Sequence, residues 1–210
     1  MFSSDEEALE AVKNWWKENG GFIIAGLVIG VAIIAGWRFW QASLESEARD
    51  AAGLYQQVSV AAAAGDRDQV MSLSDQLRSD YRRSAYAGQA ALRAAALAVD
   101  MGDLDEAVTQ LNWVVGNARD RELVKVARVR LARVHLARDA ADEALAALDV
   151  SDPGRFAPLF NELRGDALLA QGDHSAAREA YGRAMAAEDD EFTARRELEL
   201  KYHDLAGYED

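Results

Sequence analysis

Three histidines are the side chains of this chain best suited to proton transfer or metal binding near neutral pH. They are His135, His174 and His203. Two metal ligands share one face of a helix when they stand three or four residues apart, and no two of these histidines do. We therefore predict that none of them is a catalytic residue or a metal ligand.

The sequence also lacks the motifs that bind nucleotides or activate a nucleophile. It has no cysteine, no phosphate-binding loop, no GxGxxG fingerprint and no GxSxG elbow. The pairs Gly102-Asp103 and Gly172-Asp173 could suggest a metal or phosphate site, but their recurrence at one position of a repeat favours a structural role. We predict a protein that is not an enzyme and needs no cofactor.

Charge argues against nucleic acid as a partner. The chain has 23 Lys and Arg against 36 Asp and Glu, which gives a net charge of −13. Because phosphate binding requires a basic face, a protein of this balance is not expected to bind nucleic acid as its main partner.

One uncharged stretch, residues 21–37, differs from the rest of the chain. As a helix it would rise about 26 Å, close to the thickness of a bilayer core. Trp37 and Trp40 can lie at the lipid headgroups, and Arg38 can extend its charge to water. We predict one uncleaved transmembrane helix over residues 21–40; a cleaved signal peptide and a buried core helix are the alternatives.

The residues on either side of this stretch do not decide its orientation. Residues 1–20 are predicted to form a short helix, with Ser4 and Glu7 as a capping box. Two basic residues, Lys13 and Lys17, precede the apolar stretch, and two others, Arg38 and Arg49, follow it. The positive-inside rule therefore gives no preference.

Small residues within the stretch could let another helix approach closely. Gly26 and Gly30 form a GxxxG motif, and Ala32 and Gly36 repeat that spacing. We predict that Gly26 and Gly30 contact a partner helix in the bilayer.

After residue 40 the sequence repeats at the period of helical solenoids. Three similar turns are each followed by an alanine, and these alanines stand 37 and 33 residues apart. A large residue follows each alanine by four positions. The alanine–large pairs are Ala107 with Leu111, Ala144 with Leu148, and Ala177 with Tyr181. Small residues at Gly102 and Gly172 allow tight turns, and this pattern resembles degenerate tetratricopeptide repeats.

These patterns predict an all-α chain with a single transmembrane helix followed by a tetratricopeptide-like solenoid. Residues 42–64 and 67–82 would form a first, capping pair of helices, and residues 190–206 a closing helix. The predicted domains are an N-terminal helix (1–20), a membrane span (21–40), a repeat domain (41–206) and a frayed tail (207–210).

A solenoid of helix pairs has a concave groove lined by the first helix of each pair. The repeat register places Gln89, Arg133, Glu162 and Asp166 on that side. We predict that the groove binds protein and that these four residues contribute to it.

Two blocks resemble a known family, the YfgM family of ancillary subunits of the bacterial SecYEG translocon. One is residues 10–20 with the exit from the apolar stretch at residues 36–40, and the other is residues 131–134 and 163–169 of the repeats. The resemblance implies a protein of the Gram-negative inner membrane with a cytoplasmic N-terminus and periplasmic repeats. It also implies association with the translocon and with a membrane-anchored periplasmic chaperone of the prolyl-isomerase type. No catalytic residue is implied.

The main hypothesis is therefore a non-enzymatic adaptor that passes newly exported client proteins from the translocon to periplasmic chaperones. Two alternatives remain open. One is an envelope scaffold that coordinates cell-wall or outer-membrane assembly, and the other is an enzyme whose site the sequence does not show.

Overall fold

The computed structural model describes residues 3–186 and 195–207. Within these residues the chain forms nine α-helices and a short 3-10 helix at Gly154–Phe156, with no strand. The α-helices are α1 Ser3–Ala64, α2 Arg67–Asp80, α3 Ala85–Asp100, α4 Leu104–Asn117, α5 Arg121–Leu136, α6 Ala141–Ala147, α7 Ala157–Ala170, α8 His174–Met185 and α9 Arg195–Asp204. The all-α fold predicted from the sequence is confirmed.

The chain divides into two compact units, Met1–Arg49 and Asp50–Asp210. In the first unit, α1 carries its large apolar side chains in the open, with Trp37 61% exposed and Phe22 82% exposed. The most apolar segment of α1 has a mean hydropathy of 2.2, and by length and composition α1 could cross a membrane. The rings of Trp37 and Trp40 lie 5.1 Å apart, centroid to centroid.

The helix predicted for residues 1–20 is part of α1, which runs on through the apolar stretch without a break. The chain has no proline in this region to interrupt the helical hydrogen bonds. At Gly20 a Cβ atom would lie 3.2 Å from the Trp16 ring, so this tryptophan covers the glycine. The side chains of Ser4 and Glu7, the predicted capping box, lie outside the described part.

In the second unit, the predicted turns between paired helices are confirmed. Gly102 and Gly172 adopt the left-handed conformation, with φ of 77° and 82°. The next residues, Asp103 and Asp173, cap the following helices by accepting hydrogen bonds from backbone N–H groups. In the middle repeat Asp139 takes the glycine position with φ of 57°.

The predicted alanine–large pairs form the repeat core. The three alanines and their three large partners are all buried, with at most 1% of any of them exposed. Ala107, Leu111, Ala144 and Leu148 share one cluster with side chains of α3, α5 and α7. Each helix pair therefore buries its apolar face against the next pair, as a solenoid requires.

The sequence predicts a closing helix over residues 190–206, and the structure shows α9 over Arg195–Asp204. Residues 190–194 and most of the predicted tail, 208–210, lie outside the described part. Leu198 and Leu205 are buried beside Tyr181, so α9 covers the apolar face of the last pair. A Cβ atom at Gly165 would lie only 2.4 Å from the same tyrosine ring.

The middle turn differs from the others because Ala140 occupies the N-cap of α6 and offers no side-chain cap. We expect Ala140→Asn to raise the free energy of unfolding by about 1 kcal/mol. Asparagine suits this site better than aspartate because Asp139, Asp142 and Glu143 already supply negative charge nearby. The measurement is thermal unfolding of the full chain in detergent, where the midpoint should rise by roughly 2–4 °C.

The reciprocal variant is Asp173→Ala, which removes an existing cap and should lower the midpoint by a similar amount. Lower stability in Ala140→Asn, or unchanged stability in Asp173→Ala, would show that these caps do not govern the repeat turns.

Candidate protein-binding groove

The first helices of successive pairs form a groove in the second unit. Two adjoining depressions lie along it, and their linings come from α1, α3, α4 and α5. Ala96 and Arg130 line both depressions, so the two are continuous. Together these two depressions make up the groove.

The two depressions differ in chemistry. The first, of about 270 Å³, is lined by Tyr55, Gln89, Leu92, Arg93, Ala96 and Arg130. The second, of about 220 Å³, is mainly apolar and is lined by Ala95, Ala96, Val99, Asp100, Leu111, Arg130, Arg133 and Val134. Val99 is 42% exposed, so part of the apolar lining of the second depression is accessible to solvent.

Three arginines line the groove, Arg93 from α3 and Arg130 and Arg133 from α5. Arg130 Nη1 donates to the backbone oxygen of Leu92 at 3.4 Å, which holds its guanidinium between the two helices. Among the described residues, no carboxylate forms an ion pair with any of the three. The only acidic side chain among the groove-lining residues is Asp100.

The structure brings Gln89 and Arg133, two of the predicted binding residues, into this groove. Gln89 lines the first depression and Arg133 the second. Sequence reasoning missed Arg93 and Arg130, although Arg93 stands four residues after Gln89 and Arg130 three residues before Arg133. Helical spacing could have found both, because such residues share one face. Contact of these side chains with a partner stays a prediction.

The other two predicted residues, Glu162 and Asp166, lie on α7 and contact the closing helix. Lys201 Nζ donates to Asp166 Oδ1 at 2.9 Å and to Glu162 Oε1 at 3.3 Å. The Tyr181 hydroxyl also donates to Asp166 Oδ1, at 2.8 Å. Glu162 is only 8% exposed. These carboxylates therefore connect α7 to α9 within the fold, and their role in partner binding stays a prediction.

Burial and nearby charges shift the pKa values of Lys201 and Tyr181. Burial opposes the charge of Lys201, but its hydrogen bonds and its attraction to Asp166 and Glu162 outweigh burial and raise the pKa of Lys201 above its ordinary value. Burial, followed by the hydrogen bond to Asp166, raises the pKa of Tyr181. Lys201 is therefore charged and Tyr181 neutral at physiological pH.

The three histidines lie on three different helices, α5, α8 and α9. Burial lowers the pKa of His135, the nearby Glu143 opposes this shift, and Arg138 adds to it. Within the described ranges, no group of three or more His, Asp or Glu side chains could hold a metal ion.

In the first unit, Gly26 and Gly30 have open space beside them. A Cβ atom added at either would meet no other atom within 4 Å. The helical period places them on one face, roughly 120° around α1 from Ala32 and Gly36. Contact between Gly26 or Gly30 and a partner helix stays a prediction.

Comparison with known proteins identifies the family. A family model for a tetratricopeptide repeat-like domain matches residues 13–207. The ancillary SecYEG translocon subunit of Escherichia coli (strain K12) is 32% identical over 86% of this chain and 87% of that protein. Proteins of the same name from Neisseria gonorrhoeae and Haemophilus influenzae are 30% and 28% identical, over 96% and 86% of this chain and 97% and 88% of theirs. This extent of similarity confirms the resemblance found in the sequence, and the chain belongs to the family of ancillary SecYEG translocon subunits.

Proposed function

We propose that this protein is a non-enzymatic adaptor that associates with the SecYEG translocon and links exported proteins to periplasmic chaperones. The observation that carries the proposal is the similarity to proteins named ancillary SecYEG translocon subunits along nearly their whole length. The tetratricopeptide-like fold supports an adaptor because such solenoids present extended binding surfaces.

The proposed topology has residues 1–20 in the cytoplasm, residues 21–40 across the inner membrane and residues 41–206 in the periplasm. The exposed apolar side chains of α1 support the anchor, because large apolar surfaces are stable in lipid and not in water. The orientation is taken from the family resemblance, since the flanking charges balance.

Protease added to spheroplasts tests this topology. We expect residues 41–206 to be digested and the N-terminal part of α1 to be protected, because only the repeat domain would face the protease. An epitope at each terminus reports the two ends, and a cytoplasmic protein that stays intact shows that the membrane is sealed. Full protection of the C-terminal epitope in sealed spheroplasts would reverse the proposed orientation.

In the proposed adaptor role, the repeat domain binds a membrane-anchored chaperone of the prolyl-isomerase type, or an exported client. The groove between α1, α3 and α5 supports this role, since its lining combines apolar side chains with arginines that form no ion pair among the described residues.

Affinity purification of the full chain from membranes in mild detergent tests the partners. Translocon subunits and a prolyl-isomerase-type chaperone are expected to co-purify. Recovery of cell-wall or outer-membrane assembly proteins without any translocon subunit would contradict the adaptor proposal and favour an envelope scaffold.

A further inference from the structure

The groove combines two properties that select for one kind of ligand. Its second depression is mainly apolar, with Val99 exposed, and the lining of the two depressions together includes Arg93, Arg130 and Arg133. We infer that this groove binds an acidic segment of a partner protein, with an apolar side chain in the second depression and carboxylates on the arginines. The inference rests on the proposed role of the groove as a protein-binding surface, and it names the partner's chemistry.

Charge complementarity is the first argument. The chain as a whole has a net charge of −13, yet the groove lining carries three arginines against one carboxylate, Asp100. Elsewhere arginines do form ion pairs with this abundant acidic surface, for example Arg67 with Asp103 and Arg155 with Glu122. A basic groove in an acidic protein attracts acidic partners and repels basic ones.

The geometry of the arginines is the second argument. Arg130 is held across α3 and α5 by its hydrogen bond to the Leu92 carbonyl, so its position is partly fixed before a ligand arrives. Arg93 and Arg133 are exposed and make no ion pair within the described ranges. A guanidinium can bind a carboxylate through two parallel N–H donors, which makes arginine well suited to this contact.

The apolar depression is the third argument, because it requires the ligand to carry an apolar side chain as well as carboxylates. Ala95, Val99 and Val134 line it beside the arginines. A cavity of about 220 Å³ can take one apolar side chain of a bound peptide. An acidic segment with an apolar residue next to its carboxylates satisfies both parts of the groove at once.

The test uses the purified full-length chain in detergent micelles and short fluorescent peptides of Asp and Glu with one central Phe. Fluorescence anisotropy gives the dissociation constant. We expect saturable binding that weakens as salt is raised, because the contacts are partly exposed ion pairs. A matched peptide of Asn and Gln around the same Phe should bind at least about tenfold more weakly.

The paired variant Arg93→Gln with Arg133→Gln should weaken binding of the acidic peptide about tenfold. Both side chains are exposed, so we expect the substitutions to remove contacts with the peptide without disturbing the packing of the core. Its matched control is Arg83→Gln with Arg119→Gln, which removes the same charge from exposed arginines outside the groove. The control should bind the peptide within about twofold of the original chain. Unchanged thermal unfolding of both variants shows that the fold is retained.

Three outcomes of the peptide titration overturn the inference: equal loss of affinity in both paired variants, equal affinity for the neutral peptide, and no saturable binding of the acidic peptide. The inference would also be overturned if the chain self-associates and Arg93→Gln with Arg133→Gln abolishes this, because the groove would then bind a second copy of the chain. The titration contains neither translocon nor chaperone. A negative result in the titration would therefore refute the acidic ligand and leave the proposed translocon association to be judged by the co-purification.

Discussion

Replacing Gly165 with alanine is expected to lower the free energy of unfolding by about 2–3 kcal/mol, because it overpacks the core of the last repeat. The new Cβ atom would lie 2.4 Å from one carbon of the Tyr181 ring and 2.5 Å from the next. The ring cannot easily move away, since Tyr181 is fully buried and its hydroxyl donates to Asp166. Thermal unfolding of the full chain should show a midpoint lower by roughly 4–12 °C.

The matched control is Gly53→Ala, since Gly53 lies in α1 with no atom within 4 Å of an added Cβ. That change should leave stability unchanged or raise it by up to about 1 kcal/mol through better helix propensity. Adding Tyr181→Leu to Gly165→Ala should give a double mutant more stable than the sum of the single effects predicts, because the two sites are in contact. If Gly165→Ala were as stable as Gly53→Ala, the tight approach of α7 and α8 would be refuted.

Replacing Gly26 and Gly30 together with leucine is expected to reduce co-purification of translocon subunits about tenfold. Leucine would fill the open face beside these glycines and keep another helix from approaching closely. The added apolar side chains favour membrane insertion, so the chain should remain in the membrane fraction. Quantitative immunoblotting of translocon subunits after affinity purification measures the loss.

A paired control comes from the same helix. Ala32→Leu with Gly36→Leu adds similar bulk on a face roughly 120° away and should leave translocon recovery within about twofold of the original. Equal recovery in both paired variants would refute a lateral contact at Gly26 and Gly30. Thermal unfolding of the repeat domain should be the same in both, since the altered side chains lie outside it.

Much of the repeat architecture was predictable because one residue type serves one local purpose at each repeat position. Glycine is needed where the chain turns with positive φ, and Gly102 and Gly172 were identified on that ground. An alanine four residues before a large residue favours close helix packing, and Ala177 and Tyr181 are both buried. The turn pattern also places Asp139 at the glycine position of the middle repeat, and it adopts the same left-handed conformation.

The candidate site was less predictable because it depends on contacts between residues distant in sequence. The repeat register located Gln89 and Arg133, but the contact of Lys201 with Asp166 joins residues 35 positions apart. Because α9 does not belong to a repeat, the repeat period does not predict which residues of α7 it contacts. The domain boundary predicted at residue 40 follows a change of composition, and the backbone stays helical across it.

Photocrosslinking in living cells tests the proposed translocon association most directly. Trp37 is 61% exposed and lies on the same face of α1 as Gly26 and Gly30, so a photoreactive aromatic amino acid can replace it with little change in bulk. We predict that irradiation yields a covalent adduct with a subunit of the SecYEG translocon, and that Gly26→Leu with Gly30→Leu weakens it. Adducts with unrelated membrane proteins alone, from a variant present at normal levels in the membrane, would contradict the proposed association.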